Sequence, residues 1–219
     1  MLTTRAPTDL ARDAGFLAER GAELRDGLAT GLEHPLAVSL RLSHLFAVLA
    51  PGCERQGPQP PLGDLRWRAP QPLERWDDVR DATAWSDQAA QNAALERFGE
   101  GGMSEDSLYL NVTAPKNADG LPVMVWFHGG GFTALTSNTK PFNNPKAVAS
   151  KGVVQVSVNH RLGPFGYIAH PGLSAESGYN GSGNYGQMDL IAALEWGQDN
   201  IAAFGGDPDS VTIFGESGG

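Results

Sequence analysis

Cysteine is almost absent. Cys53 stands alone among 219 residues, so no disulfide can form within the chain, and a reducing compartment is allowed. Basic charge is scarce: 16 Lys and Arg face 25 Asp and Glu, for a formal net charge of −9. Polyphosphate backbones and anionic membrane surfaces both need cationic side chains, so neither is expected as a partner. Long apolar runs are missing too. The first residues, MLTTRAPTDLARDAGFLAERG, hold no continuous apolar stretch of signal-peptide length. The most apolar segment, HPLAVSLRLSHLFAVLA, is interrupted by Arg41 and His44 and is too short and polar to span a bilayer. These absences point to a cytoplasmic protein. Histidine is rare, and no pair among His34, His44, His128, His160 and His170 has the spacing of a metal site, so no metal is expected.

What the chain does have is glycine and proline, 28 and 15 residues, which suit a domain with many turns. Leu10, Ala14, Leu17, Leu24 and Leu28 recur in steps of four and three, up to a stop at Gly31. That spacing predicts an amphipathic helix, so residues 1–50 read as an atypical helical extension. Residues 51–72 are irregular, since Pro removes donors and restricts its neighbours. From Leu108 the rhythm changes. LYLNVT alternates like a half-buried strand, while LPVMVWF (121–127) and GVVQVSVN (152–159) are mostly apolar, like buried ones. Residues 188–201 show helical spacing through Met188, Ile191, Leu194 or Glu195, and Trp196, and VTIF (211–214) is a short fourth strand. Helical crossovers between apolar strands give an α/β domain over 51–219 with a mainly parallel sheet.

Two glycine-rich stretches follow apolar strands. Gly215-Glu216-Ser217-Gly218-Gly219 fits G-x-S-x-G. A Ser at a sharp turn after a strand is forced into a strained conformation, and its neighbours two places away must be small because the turn folds back on itself. WFHGGGF (126–132) carries three successive glycines, which let backbone approach a ligand closely. Acyl transfer places negative charge on a carbonyl oxygen, and preorganised N–H groups stabilise it. Strand-HGGG followed by strand-GxSxG is far more specific than either alone.

With PPLGDLRWRAPQP (60–72), MSEDSLYLNV (103–112), PVMVWFHGGGF (122–132), VNHRLGPFGYIAHPGL (158–173) and residues 182–219, the chain resembles the type B carboxylesterases, which include the cholinesterases. The resemblance implies an α/β-hydrolase fold acting on small carboxylic esters without a cofactor. It implies Ser217 as nucleophile, the N–H groups of Gly130, Gly131 and Gly218 as oxyanion hole, and Glu216 as an acidic residue shaping the field. Gly218 stands where Ala is usual, Ser107 where secreted relatives often have Cys, and His160 where Tyr is common. His128 is expected to shape the glycine turn, His160 and His170 to be structural, and Arg161, Glu105 and Asp106 to form a buried ion-pair frame.

In such hydrolases the acid and the histidine of the triad follow the Ser, and nothing follows Gly219 here. The sequence therefore reads as the N-terminal half of the fold, ending at the nucleophile elbow with an unpaired sheet edge. A reading-frame disturbance near residues 50 and 217, or completion by a second, C-terminal chain, would account for the two ends. The chain alone is expected to be inactive, and self-association through the bare edge is a further expectation. A non-catalytic interaction module with the hydrolase fold is the alternative.

Overall fold

The computed structural model describes residues 36–41, 59–71, 85–140 and 142–219. The expected helix over Leu10–Leu28 lies outside them, as do His34, His44 and Cys53. Within the expected helical extension, Leu36–Arg41 is instead a strand, β1. It joins a five-stranded sheet with β4 (Tyr109–Ala114), β5 (Leu121–Phe127), β6 (Val154–Val158) and β7 (Gly206–Gly215), in the order β1-β4-β6-β5-β7. A separate two-stranded sheet pairs β2 (Gln88–Ala89) with β3 (Met103–Ser104). The α-helices among the described residues are α1 (Pro145–Ala149), α2 (Gly163–Tyr167), α3 (Pro171–Glu176) and α4 (Tyr185–Asn200).

The sheet is mixed. β6, β5 and β7 run parallel, whereas β4 is antiparallel to both β1 and β6. The parallel part carries the site. Its register pairs Val125 with Ile213, Trp126 with Phe214 and Phe127 with Gly215, so the two glycine-rich stretches leave the sheet side by side.

One face of the sheet is apolar. Leu110, Val112, Val123, Val125, Val154, Val156 and Val158 pack with Leu108 and Ile201 and with Ala193 and Trp196 of α4. The buried stripe of α4 is Tyr185, Gly186, Asp189, Ala193, Trp196 and Asn200. Ile191, read from the sequence as inward-facing, is 55% exposed. Apolar periodicity misleads here because the inward stripe includes a carboxylate and two small residues.

The other face departs from the half-buried reading of LYLNVT, since Asn111 and Thr113 are buried as well. Loop residues Ser137 and Asn143 cover this face with matching polar groups. Asn111 Nδ2 donates to Ser137 Oγ at 2.9 Å, Asn143 Nδ2 to Ser157 Oγ at 2.8 Å, and Gln155 Nε2 to Asn143 Oδ1 at 2.6 Å. Buried polar groups need partners, and this network supplies them for the side-chain nitrogens of Asn111, Asn143 and Gln155.

Arg161 and Asp189 are 3% and 0% exposed and form a two-pronged pair, Nη2 to Oδ1 at 2.7 Å and Nε to Oδ2 at 2.9 Å. Arg161 Nη1 donates to the carbonyls of Arg66 and Arg68, which ties residues 59–71 to the core. Arg66 in turn pairs with Glu105. Of the expected buried frame, Arg161 is in a buried pair, but with Asp189, and Glu105 is in a partly exposed pair with Arg66. Removing one member of such a pair strands a buried charge. Asp189→Ala is expected to cost about 3–5 kcal/mol of stability, measured from the urea midpoint, and a loss within 1 kcal/mol would show that water reaches the guanidinium.

Candidate active site

Ser217 has φ 56°, a left-handed backbone that a non-glycine residue adopts only when its surroundings impose it. The imposition is visible. Gly219 N–H closes the turn onto the Glu216 carbonyl at 2.9 Å. A Cβ on Gly215 would stand 2.5 Å from the Gly219 carbonyl carbon, and one on Gly219 only 2.1 Å from the Phe127 carbonyl oxygen. Both flanking positions must therefore be glycine, and the Ser217 side chain is exposed at the end of β7.

The glycine turn presses against this elbow. A Cβ on Gly129 would lie 2.7 Å from Glu216 Oε2 and 3.3 Å from Ser217 Cβ. One on Gly218 would lie 3.1 Å from the Gly131 nitrogen. Gly130, Gly131 and Gly218, read from the sequence as one cluster, are brought together around the Ser217 turn, with Glu216 beside them. Gly130 and Gly131 have φ 102° and 59°. The space beyond Gly131 is open, with no atom within 4 Å of a Cβ built there.

The buried side of the turn is imidazole. His128 Nδ1–H donates to the Gly129 carbonyl at 2.8 Å, and its ring stacks on His160 at 4.6 Å between centroids. Burial pushes the His128 imidazole down to about 4, and His160 is held well below its ordinary value by burial and by His128. The Tyr167 hydroxyl, buried beside His160, is pushed up to about 12 by the same loss of water. None of these groups hydrogen-bonds Ser217, and His170 instead caps α3 by accepting from Gly172 N–H at 3.1 Å. Among the described residues no three His, Cys, Asp or Glu side chains cluster as a metal site requires, and no described helix is long and apolar enough to cross a membrane.

A depression of about 490 Å³ opens beside the turn, lined by Gly131, Phe132, Thr133, Pro164, Tyr167 and Ile168. Phe132 leans on Tyr167 at 5.1 Å, and its carbonyl accepts from Gly163 N–H at 2.7 Å. Phe132 is itself left-handed, at φ 62°.

Residues 58–219 match the model of the carboxylesterase family. The chain belongs to that family. It is 49% identical over 166 residues to the fumonisin B1 esterase of Sphingopyxis macrogoltabida, covering 73% of this chain and 30% of the relative. It is 45% identical over 165 residues to the para-nitrobenzyl esterase of Bacillus subtilis, covering 74% and 33%. Among solved structures, a PNB esterase superposes with a TM-score of 0.66 at 43% identity, covering 73% and 33% of the two chains. Juvenile hormone esterase from Manduca sexta gives 0.66 at 32% identity, covering 84% and 32%. The fold is that of the α/β-hydrolase carboxylesterases, and the chain spans about a third of the length of these relatives.

Two outcomes follow from this geometry. Gly131→Val places a β-branched residue at φ 59° in open space, so its stability cost is limited to backbone strain of about 1–3 kcal/mol. Any function of the Gly131 N–H should suffer more than stability does, and proportional losses in thermal midpoint and ligand capture would contradict this. The buried imidazoles set a pH dependence. The folded chain keeps them neutral, while the unfolded chain protonates His128 near the ordinary 6.5. Stability is therefore complete above about pH 6.5 and declines as pH falls toward about 4, by about 1.4 kcal/mol per unit for each histidine. Urea midpoints between pH 7 and 5 should fall, and fall less in His160→Phe. A flat profile would show that the rings are solvated.

Proposed function

We propose that this segment carries the nucleophile and the oxyanion site of a carboxylic ester hydrolase. The observation that carries the reading is Ser217 at φ 56°, wedged between Gly215 and Gly219 and facing the glycine turn. Strain held at an exposed hydroxyl has a functional meaning that a surface loop would lack. Membership of the carboxylesterase family supports ester hydrolysis as the reaction.

Ser217 Oγ attacks the ester carbonyl carbon. The carbonyl oxygen gains the negative charge and is held by the N–H groups of Gly130, Gly131 and Gly218, each worth about 3 kcal/mol of barrier in such sites. Collapse expels the alcohol and leaves an acyl group on Ser217, and water then releases the acid. Glu216, next to the nucleophile, shapes the field without taking the proton. The depression against Phe132 and Tyr167 has no charged lining residue and suits an uncharged apolar group of the ester.

The reaction needs a base with an orienting carboxylate. The described imidazoles do not fill that role, because His128 and His160 are buried behind the turn and His170 caps a helix. In this reading the base and acid lie outside the described residues, and the outer edge of β7, with Val211 and Ile213 exposed, is where further polypeptide would pair.

The test uses a short-chain p-nitrophenyl ester. The 219 residues alone should give background hydrolysis. Joined to the C-terminal part of a family member, which supplies a histidine and an acid, they should turn over, and Ser217→Ala should remove turnover by 10³-fold or more. Turnover that survives Ser217→Ala would eliminate the nucleophile. Steady, Ser217-dependent turnover by the 219 residues alone would reveal a base among them.

A further inference from the structure

The loop that follows the glycine turn does not favour its own shape. Phe132 and Leu135 lie at φ 62° and 75°, where large side chains are strained. A leucine reverts to extended or helical backbone unless something prevents it. At Leu135 the restraint is a single side chain from far away in the sequence. Gln91 Oε1 accepts from Leu135 N–H at 2.7 Å, and Gln91 Nε2 donates to the Leu135 carbonyl at 2.9 Å. The amide thus satisfies both backbone groups of the strained residue, as a neighbouring strand would.

Gln91 is anchored in turn. Its Nε2 also donates to the Ala89 carbonyl at 3.1 Å, and its backbone N–H reaches Met103 Sδ at 3.2 Å. Ala89 is paired with Ser104 across β2 and β3. On the other side, Leu135 and its neighbours bear on Gly130. A Cβ on Gly130 would stand 2.0 Å from the Ala134 carbonyl oxygen and 3.2 Å from Leu135 Cγ. Thr133 donates to the Gly130 carbonyl through both N–H and Oγ1, each at 3.1 Å.

We infer that Gln91 is a positioning residue for the glycine turn: through Leu135 it fixes Ala134 and Thr133, and through their hold on the Gly130 carbonyl the direction of the Gly131 N–H in the same peptide plane, with the β2–β3 sheet as its anchor. The catalytic consequence rests on the ester hydrolase reading, whereas the mechanical one does not. Loss of the clamp lets residues 133–135 relax and turns the Gly130–Gly131 peptide, with the Gly131 N–H, away from the position a developing oxyanion needs.

Gln91→Met keeps the volume and removes both hydrogen bonds. Amide hydrogen exchange of Thr133 and Leu135 should accelerate, with β6 amides unchanged. In the completed enzyme of the p-nitrophenyl ester assay, kcat should fall about 10- to 100-fold with KM within about twofold. Adding Leu135→Gly should restore part of that kcat, because glycine holds a positive φ without help. General packing damage would not be rescued in this way. Should Gln91→Met fail to fold, Gln91→Glu replaces it, since it keeps the acceptor and sets a carboxylate against two carbonyl oxygens. Unchanged exchange overturns the inference, and so does faster exchange with parental kcat. A completed parent without turnover would strike the hydrolase reading and leave the exchange result to decide on Gln91.

Discussion

The site depends on the register between β5 and β7. Because Phe127 is paired with Gly215, the strands end level with each other, and the backbone beyond each has nowhere to go but past the other. The Phe127 carbonyl lies where a Cβ of Gly219 would be, and Gly218 abuts Gly131. A slip of one residue would move the Ser217 turn by about 3.3 Å and reverse which side chains face the core. The register is fixed from the apolar face, where Val123 and Val125 pack into the core. Hydrophobic burial, which has no direction of its own, is thus converted by strand pairing into the placement of a serine.

A second layer holds the rear of the turn. His128 binds the carbonyl after it, His160 stacks on His128, and Tyr167 stands edge-on to His160 and leans on Phe132. The chain from His160 to Tyr167 therefore braces both ends of the glycine turn. Arg161 lies in the same stretch and is fixed by Asp189 and by two carbonyls of residues 59–71. A buried guanidinium without those partners would cost several kcal/mol. The ion pair works as a locating pin more than as a source of net stability.

The parts legible in the sequence were those with a strong local signal. LPVMVWF is β5 to the residue, and the two glycine motifs read as a pair lie side by side at the ends of β5 and β7. The α/β-hydrolase class and the family were legible as well. What escaped was polar. Asn111, Gln155 and Ser157 interrupt their strands as solvent-facing residues would, yet all three are buried under a loop that matches them. Asp189 broke the helical pattern for the same reason. Gln91 carried no motif at all, because its role depends on a backbone conformation 44 positions away, and strain at Leu135 has no sequence signature.

That strain explains why the scaffolding around the site is hydrogen-bonded. Among the described residues, the non-glycine positions with positive φ are Phe132, Leu135, Asn180 and Ser217. Asn tolerates this region well, and the other three all belong to the glycine turn, its loop and the elbow. At about 1–3 kcal/mol each, they store roughly 3–9 kcal/mol, against a net stability of about 5–15 for a typical domain. Apolar packing could offset that sum, but it does not choose which way a peptide plane points. Hydrogen bonds do, because they fail when the angle is wrong. Gln91 at Leu135, Gly163 at Phe132 and the Gly219–Glu216 closure beside Ser217 each act on one strained residue and fix one orientation. The oxyanion site proposed for these glycines would be made of backbone N–H groups with no side chain to re-aim, so its accuracy would have to be built into the peptides themselves.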